Sequence, residues 1–294
     1  MSIDSRLPAE LCVRRRPSAG ALLLGALLVF TLVFAAGYLL LDPYTFAALL
    51  DPVNTVMWSI VFVLAALLVV LAGLVLARSR GIQRDSSEGL RFLAIGRAAE
   101  AEAIFSRIER RNRWLWSVRI PARWNCAVSL LVQGRFDEAL RRFALLSAEP
   151  YNERALPQIW EGLPSMVALC YALRGRLDEA EAALAEQERR RVQRHLMTWV
   201  LPQAVIACRR GLHEEVVRVL ESEPRALETV YGSVLGRALR VVHAFSCEQA
   251  GRQVPPELRG AIGQLADGDV AWAREWPALD RWLRDGGWGS GRAA

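Results

Sequence analysis

The chain begins with two long runs of apolar positions and continues with alternating apolar and amphipathic segments. Residues 17–41 and 52–77 contain no charged side chain and consist mostly of Leu, Ala, Val, Phe and Gly. A helix rises about 1.5 Å per residue, so about 20 residues are enough to cross the hydrocarbon core of a bilayer. The pattern predicts a transmembrane helical hairpin over residues 17–77, with spans at about 19–41 and 54–77.

Charges beside the two runs predict their orientation. The loop between the runs contains no basic residue, whereas arginines flank the pair at positions 6, 14, 15, 16, 78, 80 and 84. By the positive-inside rule, residues 1–16 form a cytoplasmic tail and the chain after the second span is also cytoplasmic, beginning with a linker at 78–87. The alternative is a signal peptide cleaved near Ala35–Gly37, after which the second span would still return the chain to the cytoplasm.

The rest of the chain contains a sequence repeat with a glycine in each of its five units. Gly96, Gly134, Gly175, Gly211 and Gly251 follow one another at spacings of 38, 41, 36 and 40 residues. An apolar segment precedes each of the best-defined glycines and an amphipathic segment follows it. Acidic pairs come just after two of them, where the dipole of a new helix favours negative charge. The pattern predicts helix–turn–helix units over residues 88–255, with glycine in each turn.

The spacing within these units resembles that of the tetratricopeptide repeat family. Small, large, glycine, small and large residues recur in that family's order in two units, as Ala127, Leu130, Gly134, Ala139 and Phe143 and as Ala168, Tyr171, Gly175, Ala180 and Leu184. The third unit matches more loosely, with Ala204, Ala207, Gly211, Val216 and Leu220 at these places. The resemblance implies an all-α solenoid of about four to five helix pairs. Capping helices would cover residues 256–285, which are rich in tryptophan, before a flexible tail at 286–294. An unrelated antiparallel helical bundle is the alternative.

The resemblance also implies a concave groove lined by the first helix of each pair, where family members bind peptides or proteins. The corresponding positions are almost wholly apolar: Trp124, Val128, Leu131, Leu169, Leu201, Val205 and Phe245. A partner that uses this groove would present an apolar or amphipathic segment. The alternative is that these residues are core, or are covered by the chain's own C-terminus.

Residues 107–124 interleave six arginines with three tryptophans. This composition suits the headgroup zone of an anionic membrane, and the predicted contacts are Arg111, Arg113, Trp114 and Trp116. Ordinary packing of the tryptophans is an alternative. Single-stranded nucleic acid, bound by charge and stacking, is a further one that the pattern favours least.

Composition excludes several kinds of chemistry. All 37 basic residues are arginine, so the chain has no lysine for a P-loop or a Schiff base. Five cysteines lie far apart without a CxxC pair, which predicts reduced, buried thiols and no zinc site. The three histidines are also scattered, and His213–Glu214 does not continue into a zinc-protease motif. We therefore predict no catalytic, cofactor-binding or metal-binding residues, and a protein that is not an enzyme.

These features predict a membrane-anchored scaffold or adaptor whose repeat domain recruits or organises a protein partner. Exclusive use of arginine is typical of GC-rich bacterial genomes, so the predicted location is the bacterial inner membrane, with both termini and the repeat domain cytoplasmic. The predicted partners are a protein segment or another membrane protein, together with the lipid bilayer. The alternative is an accessory or assembly subunit of a membrane transport or secretion complex, with the hairpin as its interface.

Overall fold

A computed structural model describes residues 52–149, 156–189, 196–222, 234–265 and 267–286. These residues form eleven α-helices and two short 3-10 helices and contain no β-strand, which confirms the prediction of an all-α protein for this part of the chain. The helices are α1 (Pro52–Ala94), α2 (Ala98–Arg111), α3 (Trp116–Val132), α4 (Phe136–Ser147), α5 (Pro157–Leu173), α6 (Leu177–Arg189), α7 (Leu196–Arg209), α8 (His213–Ser222), α9 (Val234–Gln249), α10 (Pro256–Gly263) and α11 (Pro277–Asp285), with 3-10 helices at Asp267–Asp269 and Ala271–Glu275.

Helix α1 is 43 residues long and contains the second predicted span. Its apolar part exposes large side chains such as Val63, Leu67 and Leu74. Within the described residues, α1 is the one helix that is long and apolar enough to cross a membrane, judged by length and composition. The first predicted span and the N-terminal tail lie outside the described residues.

The segment predicted as a linker, residues 78–87, is helical in the structure because α1 continues through it to Ala94. The boundary between the two compact units of the chain, Gln83/Arg84, lies inside this segment. Charged and polar side chains remain solvated on a helix surface as well as in a loop. A single glycine such as Gly81 lowers the stability of a helix by only about 1 kcal/mol. Neither the charged residues nor this glycine therefore interrupts α1.

Five helices end in the same glycine turn, at the five glycines that the repeat predicts. Gly96, Gly134, Gly175, Gly211 and Gly251 adopt φ values of 71–80°. In each turn the glycine N–H donates to the carbonyl three residues back at 2.9–3.2 Å, and the next N–H donates to the carbonyl five residues back at 2.8–2.9 Å. This is the Schellman motif, which satisfies the last carbonyls of a helix and favours glycine at the left-handed position.

An ion pair recurs at the start of the following helix. The arginine after the glycine contacts the glutamate three residues later, as in Arg97–Glu100, Arg135–Glu138 and Arg176–Glu179 at 2.6–2.7 Å. These arginines hydrogen-bond to the carboxyls and hold the pKa of each glutamate below its usual value. The groups are exposed, so the pairs add little to stability.

The first helices of the units form a continuous layer. Helix α3 packs on α5, α5 packs on α7 and α7 packs on α9. The second helices flank this layer, with α4 between α3 and α5, and with α6 on α5 and α8 on α9. Phe105 of α2 lies directly against Gly89 of α1, where a Cβ atom would come within 2.7 Å of the ring.

The repeat-defining residues occupy the interfaces that their spacing predicts, with one exception. Ala139, Phe143 and Ala180 are fully buried between helices. Tyr171 is only half-buried, and its ring carries the Arg176 guanidinium 4.8 Å from the centroid. Its aromatic ring therefore covers the glycine turn rather than filling the core.

Candidate functional site

The structure buries most of the residues predicted to line an open groove. Six of them have little exposure, namely Val128, Leu131, Leu169, Leu201, Val205 and Phe245. Trp124 is half-buried, and its ring meets Phe143 edge to face with centroids 5.6 Å apart. These side chains offer no open apolar surface to a partner in this conformation, which corrects the expectation of an accessible groove.

The C-terminal strap, defined as residues 267–285, contacts five of these seven residues, namely Leu131, Leu169, Leu201, Val205 and Phe245. Trp272 is only 2% exposed, and the cavity that it shares with Leu131, Leu169, Leu201 and Val205 has a volume of about 10 Å³. Such a space holds at most about one water molecule. The groove positions are thus filled by the chain's own C-terminal segment, as one of the sequence alternatives anticipated.

Aromatic contacts hold the C-terminal end of the strap. The ring centroid of Phe245 lies 5.9 Å from that of Trp276 and 5.4 Å from that of Trp282, both edge to face. The Arg209 guanidinium lies 4.5 Å from the Trp276 ring centroid. The indole N–H of Trp282 donates to the Glu248 carboxylate at 2.9 Å. Phe245, predicted as a partner contact, therefore serves as the strap's own docking point.

Polar contacts hold the N-terminal end of the strap. Arg237 forms an ion pair with Asp269 at 3.1 Å, and both side chains are largely buried. The same guanidinium donates to the carbonyls of Leu93, at 2.9 Å, and Ala94, which are the last two residues of α1. The Trp272 indole N–H donates to the Asp269 carbonyl at 2.8 Å. This cluster ties α1, α9 and the strap together.

The strap passes along successive glycine turns. A Cβ atom on Gly96 would come within 2.8 Å of the Asp269 carboxylate, and one on Gly134 within 3.0 Å of the Ala271 carbonyl oxygen. At the third turn, a Cβ on Gly175 would lie 3.2 Å from the guanidinium of Arg209, which donates to the Glu275 carbonyl. Glycine at the first two turns therefore permits both the backbone conformation and the approach of the strap.

A second feature is the Arg/Trp turn, residues 110–116, which joins α2 to α3. Trp114 is 84% exposed, and Leu115 and Trp116 are also exposed. The guanidinium of Arg113 lies 5.0 Å from the Trp114 ring centroid. Arg111 and Arg113 are exposed as well. The structure thus brings the four predicted membrane contacts together on one turn. Packing in the core, the alternative for Trp114 and Trp116, is wrong.

The backbone of this turn is well anchored despite its exposed side chains. The Asn112 amide is buried and donates to the Ile108 carbonyl at 2.8 Å, and the Asn112 carbonyl accepts from the Leu115 N–H at 2.9 Å. Arg119 donates to the Arg113 carbonyl at 2.8 Å. The exposed aromatic residues are therefore presented on a fixed scaffold.

An ionic network that the sequence pattern does not indicate lies beneath the turn. Glu149 accepts from Arg119 at 2.7 Å and from Arg123 at 2.9 Å, and Glu109 accepts from Arg123 at 2.7 Å and from Arg142. Both carboxylates are mostly buried. The network links α2, α3 and α4. No periodicity marks Glu109 or Glu149, because their partners lie 14 to 33 residues away.

An open cleft lies between α6, α7 and α8, with a volume of about 410 Å³. Its walls include the apolar residues Leu184, Val200, Leu212 and Val219. Among the described residues that line it, the charged ones are the glutamates at positions 181, 188 and 215 and Arg210, which pairs with Glu181 at 2.7 Å. This α6–α8 cleft was not predicted, because it arises where consecutive helices fail to close on one another.

The described thiols are poor nucleophiles. Cys126, Cys170, Cys208 and Cys247 are free and buried, and burial raises the pKa of each thiol, that of Cys208 to about 11. Burial also lowers the pKa of His213 and His243. Within the described ranges, no three His, Cys, Asp or Glu side chains form a group that could hold a metal ion.

We expect iodoacetamide at pH 8 to leave Cys170 and Cys208 of the folded full-length protein unmodified, because the reactive thiolate is suppressed and inaccessible. Addition of urea should release both. Peptide mass spectrometry measures each position separately. Rapid modification of Cys170 without denaturant would contradict the burial.

Comparison with known proteins gives no family assignment. No family model matches the chain, and searches of curated proteins and of solved structures found no match.

Proposed function

We propose that this protein is a membrane-anchored scaffold that positions a protein partner at the bacterial inner membrane. The observation that carries the proposal is α1, in which one uninterrupted helix contains an apolar segment long enough to span a bilayer and then continues into the helical-repeat region. A partner held by the repeat region would therefore be held at the membrane.

The repeat region acts, in this proposal, as a solenoid similar to tetratricopeptide repeats. Support comes from the five equivalent glycine turns and from the layer of first helices α3, α5, α7 and α9. Repeats of this kind expose extended surfaces for protein partners. The strap makes this solenoid different, because it fills the surface that such repeats commonly leave open.

The α6–α8 cleft is the partner surface that the geometry favours. Its described lining combines apolar walls with more carboxylates than basic groups. A segment that inserts one or two apolar side chains and carries basic residues beside them would match both properties. The partner we propose is therefore an apolar or amphipathic protein segment with basic flanks.

We expect Leu212→Glu combined with Val219→Glu to reduce partner recovery at least tenfold, since buried carboxylates oppose docking by several kcal/mol in total. Both residues are about half exposed, at 46% and 47%, so the folded protein tolerates the change. Full-length protein would be purified from its native cells in mild detergent, and partners quantified by mass spectrometry.

Leu145→Glu is the matched control, because Leu145 is 51% exposed on α4, away from the cleft. Equal recovery of every partner by the double variant and the control would contradict a role for the cleft. Recovery of the protein without any stoichiometric partner would contradict the scaffold itself.

A role as accessory or assembly subunit of a membrane complex is the second candidate. The specific observation is that apolar side chains project from α1 with large exposure, for example Leu64, Leu68, Leu71 and Val75. These surfaces require either lipid or neighbouring transmembrane helices. Co-purification of a multi-span protein that survives the Leu212→Glu, Val219→Glu change would favour this role.

A further inference from the structure

The Arg/Trp turn combines the two properties that an anionic membrane surface attracts. Its apolar part, Trp114, Leu115 and Trp116, is exposed as a contiguous group. Its basic part comes from exposed arginines of α2 and the turn at positions 107, 110, 111 and 113. Tryptophan prefers the interfacial zone of a bilayer, and each arginine near an anionic leaflet adds about 1 kcal/mol of attraction.

Within the repeat region, α2 lies beside the last part of α1, because the Phe105 ring lies against Gly89. From Phe105 to Asn112 the chain rises by about 10 Å, at about 1.5 Å per residue. The Arg/Trp turn and the first glycine turn, at Gly96, therefore lie at opposite ends of α2.

The anchored backbone makes the turn suitable for docking. Arg119 and Asn112 hold its peptide groups, and the Glu109 and Glu149 network fixes the helices below. A surface that is already ordered loses little conformational entropy on binding. Docking of the exposed tryptophan and leucine side chains therefore requires little ordering of the backbone beneath them.

We propose that the Arg/Trp turn docks onto the anionic headgroups of the membrane into which α1 inserts. The docked turn gives the repeat region a second point of attachment and so limits its orientation relative to the bilayer. This inference rests on the proposed function, because α1 must be in the membrane for the turn to reach the headgroups.

The test uses the full-length protein with the photoreactive residue benzoylphenylalanine in place of Trp114, reconstituted in lipid nanodiscs. One set contains phosphatidylcholine with phosphatidylglycerol, and the other contains phosphatidylcholine alone. The matched control carries the same probe at Ile95, which is 54% exposed beside the first glycine turn. After illumination, intact-mass spectrometry measures the lipid adduct on the protein.

We expect lipid adducts at position 114 in the anionic nanodiscs, few at position 95, and a lower yield at 114 without phosphatidylglycerol. Arg110→Gln with Arg113→Gln should lower the docking equilibrium about thirtyfold, since each arginine contributes a factor of about five. Circular dichroism would show that helix content is unchanged, because both side chains are exposed.

Equal lipid adducts at positions 114 and 95, in a chain that co-elutes with nanodiscs, would overturn the docking of the turn while leaving the anchor intact. Adducts from position 114 to a second protein molecule, or to nucleic acid, would overturn it in favour of that occupant. A chain that fails to co-elute with nanodiscs would overturn the proposed anchor, and the docking with it.

Discussion

Replacing Trp272 with alanine is expected to destabilise the repeat region by about 3–5 kcal/mol, the range for large aromatic truncations in a core. Trp272 is almost fully buried against Leu131, Leu169, Leu201 and Val205, where hardly any free volume remains. Its loss leaves a cavity in the centre of the first-helix layer. The indole N–H bond to the Asp269 carbonyl is lost as well.

This loss can be measured by unfolding the full-length protein with urea in detergent. The readout is the reaction of the buried cysteines with a thiol reagent as they become exposed. Trp114→Ala is the matched control, and it should change stability by less than about 0.5 kcal/mol because Trp114 is solvent-exposed. A loss below about 1 kcal/mol for Trp272→Ala would contradict a strap that belongs to the folded core.

The second large effect is expected from Gly134→Ala compared with Gly211→Ala. Both glycines have φ of 77°, so alanine costs about 1–2 kcal/mol of backbone strain at either position. Only at Gly134 does the new Cβ press on the strap, 3.0 Å from the Ala271 carbonyl oxygen, whereas nothing lies within 4 Å of it at Gly211. We expect a further loss of about 1–3 kcal/mol at Gly134, as in other overpacked sites.

The same urea and thiol assay compares the two variants, and the difference between them isolates the strap from the turn. Equal decreases in the free energy of unfolding would show that the strap moves aside without an energetic penalty and contributes little to stability. A larger loss at Gly134, together with increased proteolysis near residues 267–285, would show that the substitution displaces the strap.

In the scaffold that we propose, the filled groove limits where a partner can bind. In this conformation Phe245, Leu201 and Val205 are committed to the strap, so a partner must use another surface. The α6–α8 cleft remains open, and its described lining has more carboxylates than basic groups. Partner binding there and membrane docking at the Arg/Trp turn involve different residues and can be tested separately.

Local features of the molecule could be predicted from the sequence to a large extent. The five glycine turns lie where the repeat placed them, because a left-handed residue at a helix end favours glycine whatever surrounds it. Burial of Ala139, Phe143 and Ala180 follows from helical periodicity, which is also local. The boundary between the two units lies inside the predicted linker at 78–87, but the helix that runs through this segment was not predicted, since polar composition alone does not end a helix.

The arrangement of the candidate sites depended on contacts between distant parts of the chain. Seven apolar positions were expected to face a partner, but apolarity is the same signal whether the cover is another protein or the chain's own Trp272, Trp276 and Trp282. Trp114 is the same type of residue, but its side chain is 84% exposed. Residue type alone could not distinguish these tryptophans.

The sequence by itself determined the apolar segment, the helical repeat and its glycine turns, because these depend on hydropathy, periodicity and backbone conformation over a few residues. Only the tertiary structure decided that the strap fills the groove, that the α6–α8 cleft stays open and that Trp114 points to solvent. Those outcomes depend on which surfaces meet in space, and for the strap the contacts join residues more than a hundred positions apart, as Arg237 does with Leu93 and Ala94.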